Sequence, residues 1–314
     1  MNQKTTMKKV CIAGSGNIGA TTALFVAEKR TSDVVLLDVD HGRAMGKAAD
    51  LDQAFPLRRF DVQISGTGDV TAMEGADVVV LAASASADPT DMDPNLIRAN
   101  AGITRSLCAH IRERAPEAVV LVVTTPLDLM THIALQATEF PRERIIGMAG
   151  VLDASRFRYF LSQELGALPS DVTAMVLGGH GANMVPIPRY STVSGIPITE
   201  LLPYEKIQDI VEKCRKADDE LFQLLARRSA HHAPAAAVAE MVECLIRDRR
   251  RLLACSVELR GEYGLADVCI GVPVILGQHG VMRILELALS DSELRALRDS
   301  AEKIARQIRT LNAL

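Results

Sequence analysis

No cysteine pair in the chain has the C-x-x-C or zinc-type spacing of a metal or redox motif. The six cysteines (Cys11, Cys108, Cys214, Cys244, Cys255, Cys269) are scattered. Most lie in apolar runs, where a free thiol behaves as a small hydrophobe. That usage argues against an oxidising compartment and for the cytoplasm. Nor does any apolar run reach the ~18 residues that a membrane span needs. Residues 1–9 are polar and lack the apolar core of a signal peptide. A surplus of one charge is missing too: 35 basic against 39 acidic residues, a net charge of −4, with the two signs interspersed. Nucleic acid and membrane surfaces are therefore not expected partners. Internal repeats, low-complexity tracts and disordered linkers are absent. What remains is a soluble globular chain of 314 residues, 48% apolar and 24% charged, long enough for two lobes.

The first half alternates short β-branched runs with amphipathic stretches. Strand-length apolar runs fall at residues 9–14, 34–39, 77–83, 119–124 and 145–148, with helix-like stretches at 17–29, 43–54, 95–113 and 127–137. Strands that are apolar throughout, separated by helices, predict a parallel, doubly wound sheet covered on both faces. Its strand C-termini line one edge, where ligands bind. From about Val151 the pattern changes to a helix at 153–165, extended segments at 172–177 and 184–193, and helices at 204–227 and 234–249. Strand-like runs at 252–259 and 268–276 and a last helix at 290–311 complete a mixed α+β lobe expected to carry its own core. The fold class is thus α/β, a Rossmann-type sheet in residues 1–147 followed by a mixed α+β catalytic domain in 148–314.

Gly14-Ser15-Gly16-Asn17-Ile18-Gly19 follows the first strand and opens a helix. In this fingerprint the first glycine makes the tight turn, the second admits a pyrophosphate and the third lets helix and strand pack closely. The helix N-terminus adds free N–H groups and a positive dipole end. Alone the motif is weak. Asp38, ending the second strand about 20 residues past the third glycine, completes it and points to NAD through the ribose hydroxyls. Arg43 is placed to meet a 2′-phosphate, which keeps NADP open.

In the second half, Leu177-Gly178-Gly179-His180-Gly181 sets one histidine among glycines at a strand end. Taking hydride from a hydroxyl carbon needs a base for the hydroxyl proton, and His180 is the candidate. Asp153 and Arg156, three apart at a helix start, project from one face. A carboxylate behind the imidazole fixes its tautomer, and a guanidinium fork clamps a substrate carboxylate.

These segments, together with Gly147–Arg158, Asn100-Ala101-Gly102-Ile103, Pro126–His132 and Gly271-Val272-Pro273-Val274, resemble the lactate-dehydrogenase-like malate dehydrogenases over nearly the whole chain. The resemblance implies that His180 and Asp153 form a proton relay and that Arg156 binds the C1 carboxylate. It also implies that Asn17, Ile18 and Asn100 join Gly14, Gly16, Gly19 and Asp38 around NAD, and that the protein is a homodimer or homotetramer. A small-molecule 2-hydroxy acid is the expected partner, with no bound metal.

The substrate loop departs from that family. Where the family carries two loop arginines this chain has Ala87 and Asp93, and Thr125 replaces the usual asparagine; Ala182 replaces the acid after the His-Gly pair. Residues 83–94 hold three acids and no base. Asp93-Pro94 reads as a helix cap followed by proline at the first helical position. Arg98 is then roughly 140° around the helix from Asp93, a poor substitute for a lost arginine. Losing a buried charge-assisted contact to a carboxylate costs about 2–5 kcal/mol. An Asp about 6 Å from a carboxylate adds ~3 kcal/mol of repulsion at an effective dielectric near 20. Together these weaken oxaloacetate handling by roughly 10³-fold. Two readings of the acidic loop stand: recognition of a positively charged or non-carboxylate substrate, or a solvated capping loop. His231-His232 offers a metal only if other ligands gather beside it. A different class also stands, an NAD(H)-binding paralogue without efficient turnover.

Overall fold

The computed structural model describes residues 7–59, 61–85, 93–226 and 229–312. Its first half runs β1 (Lys8–Ala13), α1 (Asn17–Glu28), β2 (Ser32–Leu37), α2 (His41–Arg58), β3 (Ile64–Thr67), β4 (Val78–Leu81), α3 (Pro94–Arg114), β5 (Val119–Val122), α4 (Leu127–Thr138) and β6 (Ile145–Gly147). These six strands are parallel in the order β3-β2-β1-β4-β5-β6. They read as continuous apolar runs because both faces are covered. Val10 and Ile12 of β1, Val78 and Val80 of β4, and Val119 and Leu121 of β5 enter one buried cluster. Their alternates Cys11 and Ala13, Val79 and Leu81, and Val120 and Val122 enter another on the opposite face. Strand order reverses between β1 and β4, which opens a crevice beyond their C-terminal ends.

The second half continues with α5 (Gly150–Leu165), β7 (Val172–Thr173), β8 (Val176–Gly178), β9 (Met184–Pro186), β10 (Thr192–Val193) and β11 (Ile196–Pro197). It ends with α6 (Ile198–Leu201), α7 (Tyr204–Leu224), α8 (His232–Ile246), β12 (Arg251–Arg260), β13 (Ala266–Gly277), β14 (Gly280–Ile284) and α9 (Asp291–Asn312). This is the α/β class with a mixed second part.

The expected separate core of the second lobe needs correcting. β12 pairs antiparallel with β6 through Ser256 and Gly147, so β12, β13, β8 and β9 extend the same sheet. Alternate residues of β13, from Val268 through Ile270, Val272 and Val274 to Leu276, join the cluster that already holds Val10 and Ile12. Among the described residues a smaller cluster does belong to the second half alone, with Phe157 and Leu161 of α5 against Ile207, Ile210, Val211 and Cys214 of α7.

Several element limits also differ from expectation. α5 begins at Gly150, three residues earlier than the pattern suggested, directly after Ala149 at φ 34°. The segment 172–177 divides into β7 and β8, and 184–193 into β9 and β10. β3, with the sequence Ile-Ser-Gly-Thr, carries too few apolar residues to announce itself, and β14 is a five-residue strand with only Gly280 and Val281 buried.

Candidate active site

The loops that follow β1, β4, β5 and β6 leave the same edge of the parallel sheet, and each carries residues singled out in the sequence. At the first of them the three glycines play three separate physical parts. Gly14 sits at φ 110°, and a Cβ there would lie 2.6 Å from the Ala83 nitrogen. A Cβ on Gly19 would lie 1.8 Å from the Gly14 carbonyl oxygen, so only hydrogen fits where α1 meets the turn. Gly16 is different: it is exposed, caps α1 without a side-chain partner, and has no atom within 4 Å of its Cβ position. Open space over free helix N–H groups is what a pyrophosphate needs, and the residues present fit a dinucleotide. Asn17 is exposed beside it and Ile18 half-buried.

Asp38 lies under this turn, buried, with four donors on its two oxygens. Ser15 gives its N–H (2.7 Å) and hydroxyl (2.8 Å) to Oδ2, while the Asp40 N–H (3.0 Å) and Arg43 Nη2 (2.7 Å) donate to Oδ1. Burial pushes its carboxyl up, but these bonds prevail and hold it below the usual carboxylate range. The Arg43 side chain, half-exposed, is thus anchored to the acid beside the crevice.

Asn100, buried on α3, ties two of the loops together. Its Oδ1 accepts from the Ala85 N–H (2.8 Å) and the Ser84 hydroxyl (3.3 Å), and its Nδ2 donates to the Thr125 carbonyl (2.9 Å). Thr125 is half-buried and precedes a cis bond to Pro126. Asp93 is exposed and caps α3, accepting from the Asn95 N–H at 2.8 Å. Arg98 is exposed on the same helix. Ala87, like the acids Asp88 and Asp91, lies outside the described residues.

The strand β8 ends at Gly178 and delivers His180 to Asp153 on α5. His180 Nδ1 lies 3.0 Å from Asp153 Oδ2, and Asp153 itself is buried. A carboxylate can only accept, so Nδ1 carries the proton and Nε2 is left for a substrate. Burial pulls the imidazole down. The charge and hydrogen bond of Asp153, with the charge of Asp218, outweigh both burial and Arg156, and the group is pushed up to about 9.

Two further acids that the motifs did not single out complete the site. Asp128, at the start of α4, accepts the His180 backbone N–H at 2.9 Å and fixes the loop; burial pushes its carboxyl up to about 6. Asp218 on α7 faces Arg156 squarely. Arg156 Nη1 donates to Asp218 Oδ2 at 2.7 Å, and Nη2 donates to Oδ1. Burial pushes the Asp218 carboxyl up, but the guanidinium holds it below its ordinary value. Arg156 Nη1 also stands 4.0 Å from Asp153 Oδ1. Asp153, Asp218, Arg156 and the His180 imidazolium therefore sum to no net charge. Asp218 did leave a trace in the sequence. It sits four residues after Cys214 and seven after Val211, an acid on the otherwise apolar stripe of α7.

His231 and His232 stack with ring centroids 4.1 Å apart at the start of α8. Among the described residues no group of three or more His, Cys, Asp or Glu side chains is arranged to hold a metal. No helix among them is long and apolar enough to cross a membrane.

A dinucleotide crevice at the β1–β4 reversal, with a histidine–carboxylate pair and a guanidinium beside it, defines a nicotinamide-dependent dehydrogenase. Residues 8–147 match the lactate/malate dehydrogenase NAD binding domain, and residues 150–314 match the α/β C-terminal domain of the same family. The chain belongs to the lactate/malate dehydrogenase family; it is an NAD-dependent 2-hydroxy acid dehydrogenase. It is 47% identical over 307 residues to a malate dehydrogenase of Thermomicrobium roseum, covering 98% of this chain and 99% of that protein. Among solved structures it is similar to Cryptosporidium parvum malate dehydrogenase, at TM-score 0.95 and 34% identity, covering 98% of this chain and 99% of the other. It is equally similar in fold to a lactate dehydrogenase of the same organism complexed with lactic acid and NAD, at TM-score 0.95, 35% identity and the same coverage.

Proposed function

We propose that the enzyme transfers hydride between NAD(H) and a 2-hydroxy or 2-oxo acid that differs from the malate/oxaloacetate pair suggested by its relatives. Residues 1–147 hold the dinucleotide through Gly14, Gly16, Asn17, Ile18, Gly19, Asp38 and Asn100, and residues 148–314 supply the chemistry. NAD(H), when bound, accepts or donates the hydride. In reduction His180 gives the Nε2 proton to the oxo oxygen as charge develops there; in oxidation it takes the proton from the hydroxyl. Asp153 keeps Nδ1–H oriented and stabilises the imidazolium throughout. Arg156 is the fork for the substrate's C1 carboxylate, and Thr125 and Asp93 border the substrate.

The observation that carries this reading is the 3.0 Å pairing of His180 Nδ1 with a buried carboxylate contributed by another element. Altered specificity is supported by the exposed acid at position 93, where the family resemblance calls for a cation. The six cysteines are free and buried, which agrees with a reducing cytoplasm. A homodimer or homotetramer is the assembly we expect, and light scattering on the purified protein measures it.

The test is NADH oxidation with 2-oxo acids by the wild type and by His180→Asn. The relay requires turnover to fall by at least about 10²-fold in the variant while NADH binding persists. Full activity in His180→Asn would remove His180 from the mechanism. One observation favours a second reading, an NAD(H)-binding paralogue without efficient turnover: both terminal nitrogens of Arg156 are engaged by Asp218. Tight NADH binding without turnover of any 2-oxo acid would move that reading to first place.

A further inference from the structure

A planar guanidinium grips a carboxylate end-on through two parallel N–H donors, one from each terminal nitrogen, and that mouth seats one carboxylate at a time. In this chain the mouth of the Arg156 fork is already filled by Asp218, with one oxygen on each terminal nitrogen. The geometry is the one a substrate carboxylate would adopt, and it lies at the reacting centre. The Asp218 Oδ2 atom is 3.9 Å from where a Cβ on Gly181, the residue after His180, would sit. What remains to Arg156 is the side edge of the guanidinium, Nε with the second N–H of a terminal nitrogen. That edge is less accessible than the filled mouth, since Nε is buried and has no hydrogen-bond partner. The Asp218 side chain keeps 27% of its surface exposed, against 9% for Arg156. The acid therefore reaches the pair from the solvent side, from which a substrate would also arrive.

We propose that Asp218 is a built-in competitor for the substrate carboxylate. It closes the Arg156 fork in the resting enzyme and must release at least one terminal nitrogen before a 2-oxo acid is seated. This rests on reading Arg156 as the substrate's carboxylate fork. A carboxylate entering beside Asp218 meets a pocket whose charges already cancel, so binding is weak until the aspartate turns away. The residue thereby sets which acids the enzyme accepts: those that bring enough binding elsewhere to displace it. A purely structural pair, pinning α7 to α5, would have no such consequence for ligands.

The experiment is calorimetric titration of oxamate into the NADH-loaded enzyme, comparing wild type, Asp218→Asn and Asp218→Ala. Oxamate carries a single carboxylate and a neutral amide, so the acids of the substrate loop do not obscure the result. Both variants are expected to bind oxamate at least about tenfold more tightly than wild type, with NADH affinity unchanged. For any 2-oxo acid that is turned over, KM falls by a similar factor while kcat changes less. Equal or weaker oxamate binding in Asp218→Asn, with NADH binding and melting temperature retained, overturns the proposal. Should Asp218→Ala fail to fold, the near-isosteric Asn variant decides alone. The two readings fail separately. Oxamate gain without turnover by any form leaves the competitor standing and the dehydrogenase reading broken. Brisk turnover with no gain in the variants does the reverse.

Discussion

The cofactor crevice and the substrate pocket share one sheet edge, yet they stand in opposite states of readiness. At the crevice the backbone is set for its ligand: Gly16 leaves open space above free helix N–H groups, with nothing within 4 Å of a Cβ position. At the proposed substrate pocket the Arg156 fork is closed by an internal carboxylate, and the one described loop position where the family resemblance expects a cation holds Asp93. The difference teaches that dinucleotide binding and substrate choice are separable in this architecture. Backbone geometry carries the first, and it is fixed by packing. In the proposed reading a handful of side-chain charges carries the second, and Asp93, Arg156 and Asp218 all lie outside the strands.

The largest effect that sharpens this comparison is expected at Gly19. A methyl group there would meet the Gly14 carbonyl at 1.8 Å, backbone against backbone. Gly19→Ala should destabilise the protein by about 3 kcal/mol, as overpacking does. Melting should fall by roughly 6–12 °C. Next comes Asp153→Asn. Removing the carboxylate behind His180 should lower turnover by about 10²-fold or more, measured by NADH oxidation at fixed NADH occupancy.

The same pair sets a pH dependence. With the imidazole pushed up to about 9, the protonated form that delivers Nε2–H dominates at neutral pH. Reduction should therefore be level through pH 7–8 and decline as pH rises through about 9, whereas oxidation should gain over the same interval. In Asp153→Asn the fall in reduction should move to lower pH. For stability the sign is the same. A raised histidine pKa stabilises the fold fully below its ordinary value of 6.5, and that contribution is lost as pH climbs to about 9. Urea unfolding at several pH values reads it.

Gly16→Ala is the counterpart of Gly19→Ala and should break the two roles apart. With free space at its Cβ, the variant should melt within about 2 °C of wild type. NADH affinity should nonetheless drop by about tenfold or more, because the methyl group enters the pyrophosphate's path. The smallest effect is expected from Arg43→Ala. Its half-exposed pair with Asp38 should be worth no more than about 1 kcal/mol.

Much of the crevice was legible because it depends on local grammar. The glycine spacing and the acid at the second strand end lie within 25 residues, Gly14 to Asp38, directly after an apolar strand, and backbone sterics dictate the glycines at 14 and 19. His180 was legible chiefly through the family resemblance, since a lone histidine among glycines is by itself more often structural, and its pairing with Asp153 needed the fold. Asp218 was not. It is 62 residues from Arg156 and surrounded by Lys213, Arg215, Lys216 and Asp219, which look like a solvated helix face. Its place on the apolar stripe was the available sign, and only tertiary packing gave that sign a partner. β3 and β14 were missed because edge and hairpin strands need fewer buried residues than the central ones. The separate core expected for the second half was met only by its smaller cluster, because most of its apolar residues join the shared one through β12, β13 and α8, which no local pattern reveals.

The central claim is a dehydrogenase whose NAD machinery is intact and whose substrate pocket no longer suits a dicarboxylate. The most direct measurement is kcat/KM for NADH-dependent reduction of oxaloacetate, pyruvate, and 2-oxo acids bearing amino or guanidino side chains, at one pH and saturating NADH. A neutral or basic 2-oxo acid should exceed oxaloacetate by a wide margin, with oxaloacetate disfavoured by roughly 10³-fold relative to an arginine-equipped pocket. Oxaloacetate as the fastest substrate, at rates ordinary for an efficient enzyme, would contradict the account and make the acidic loop and Asp218 bystanders.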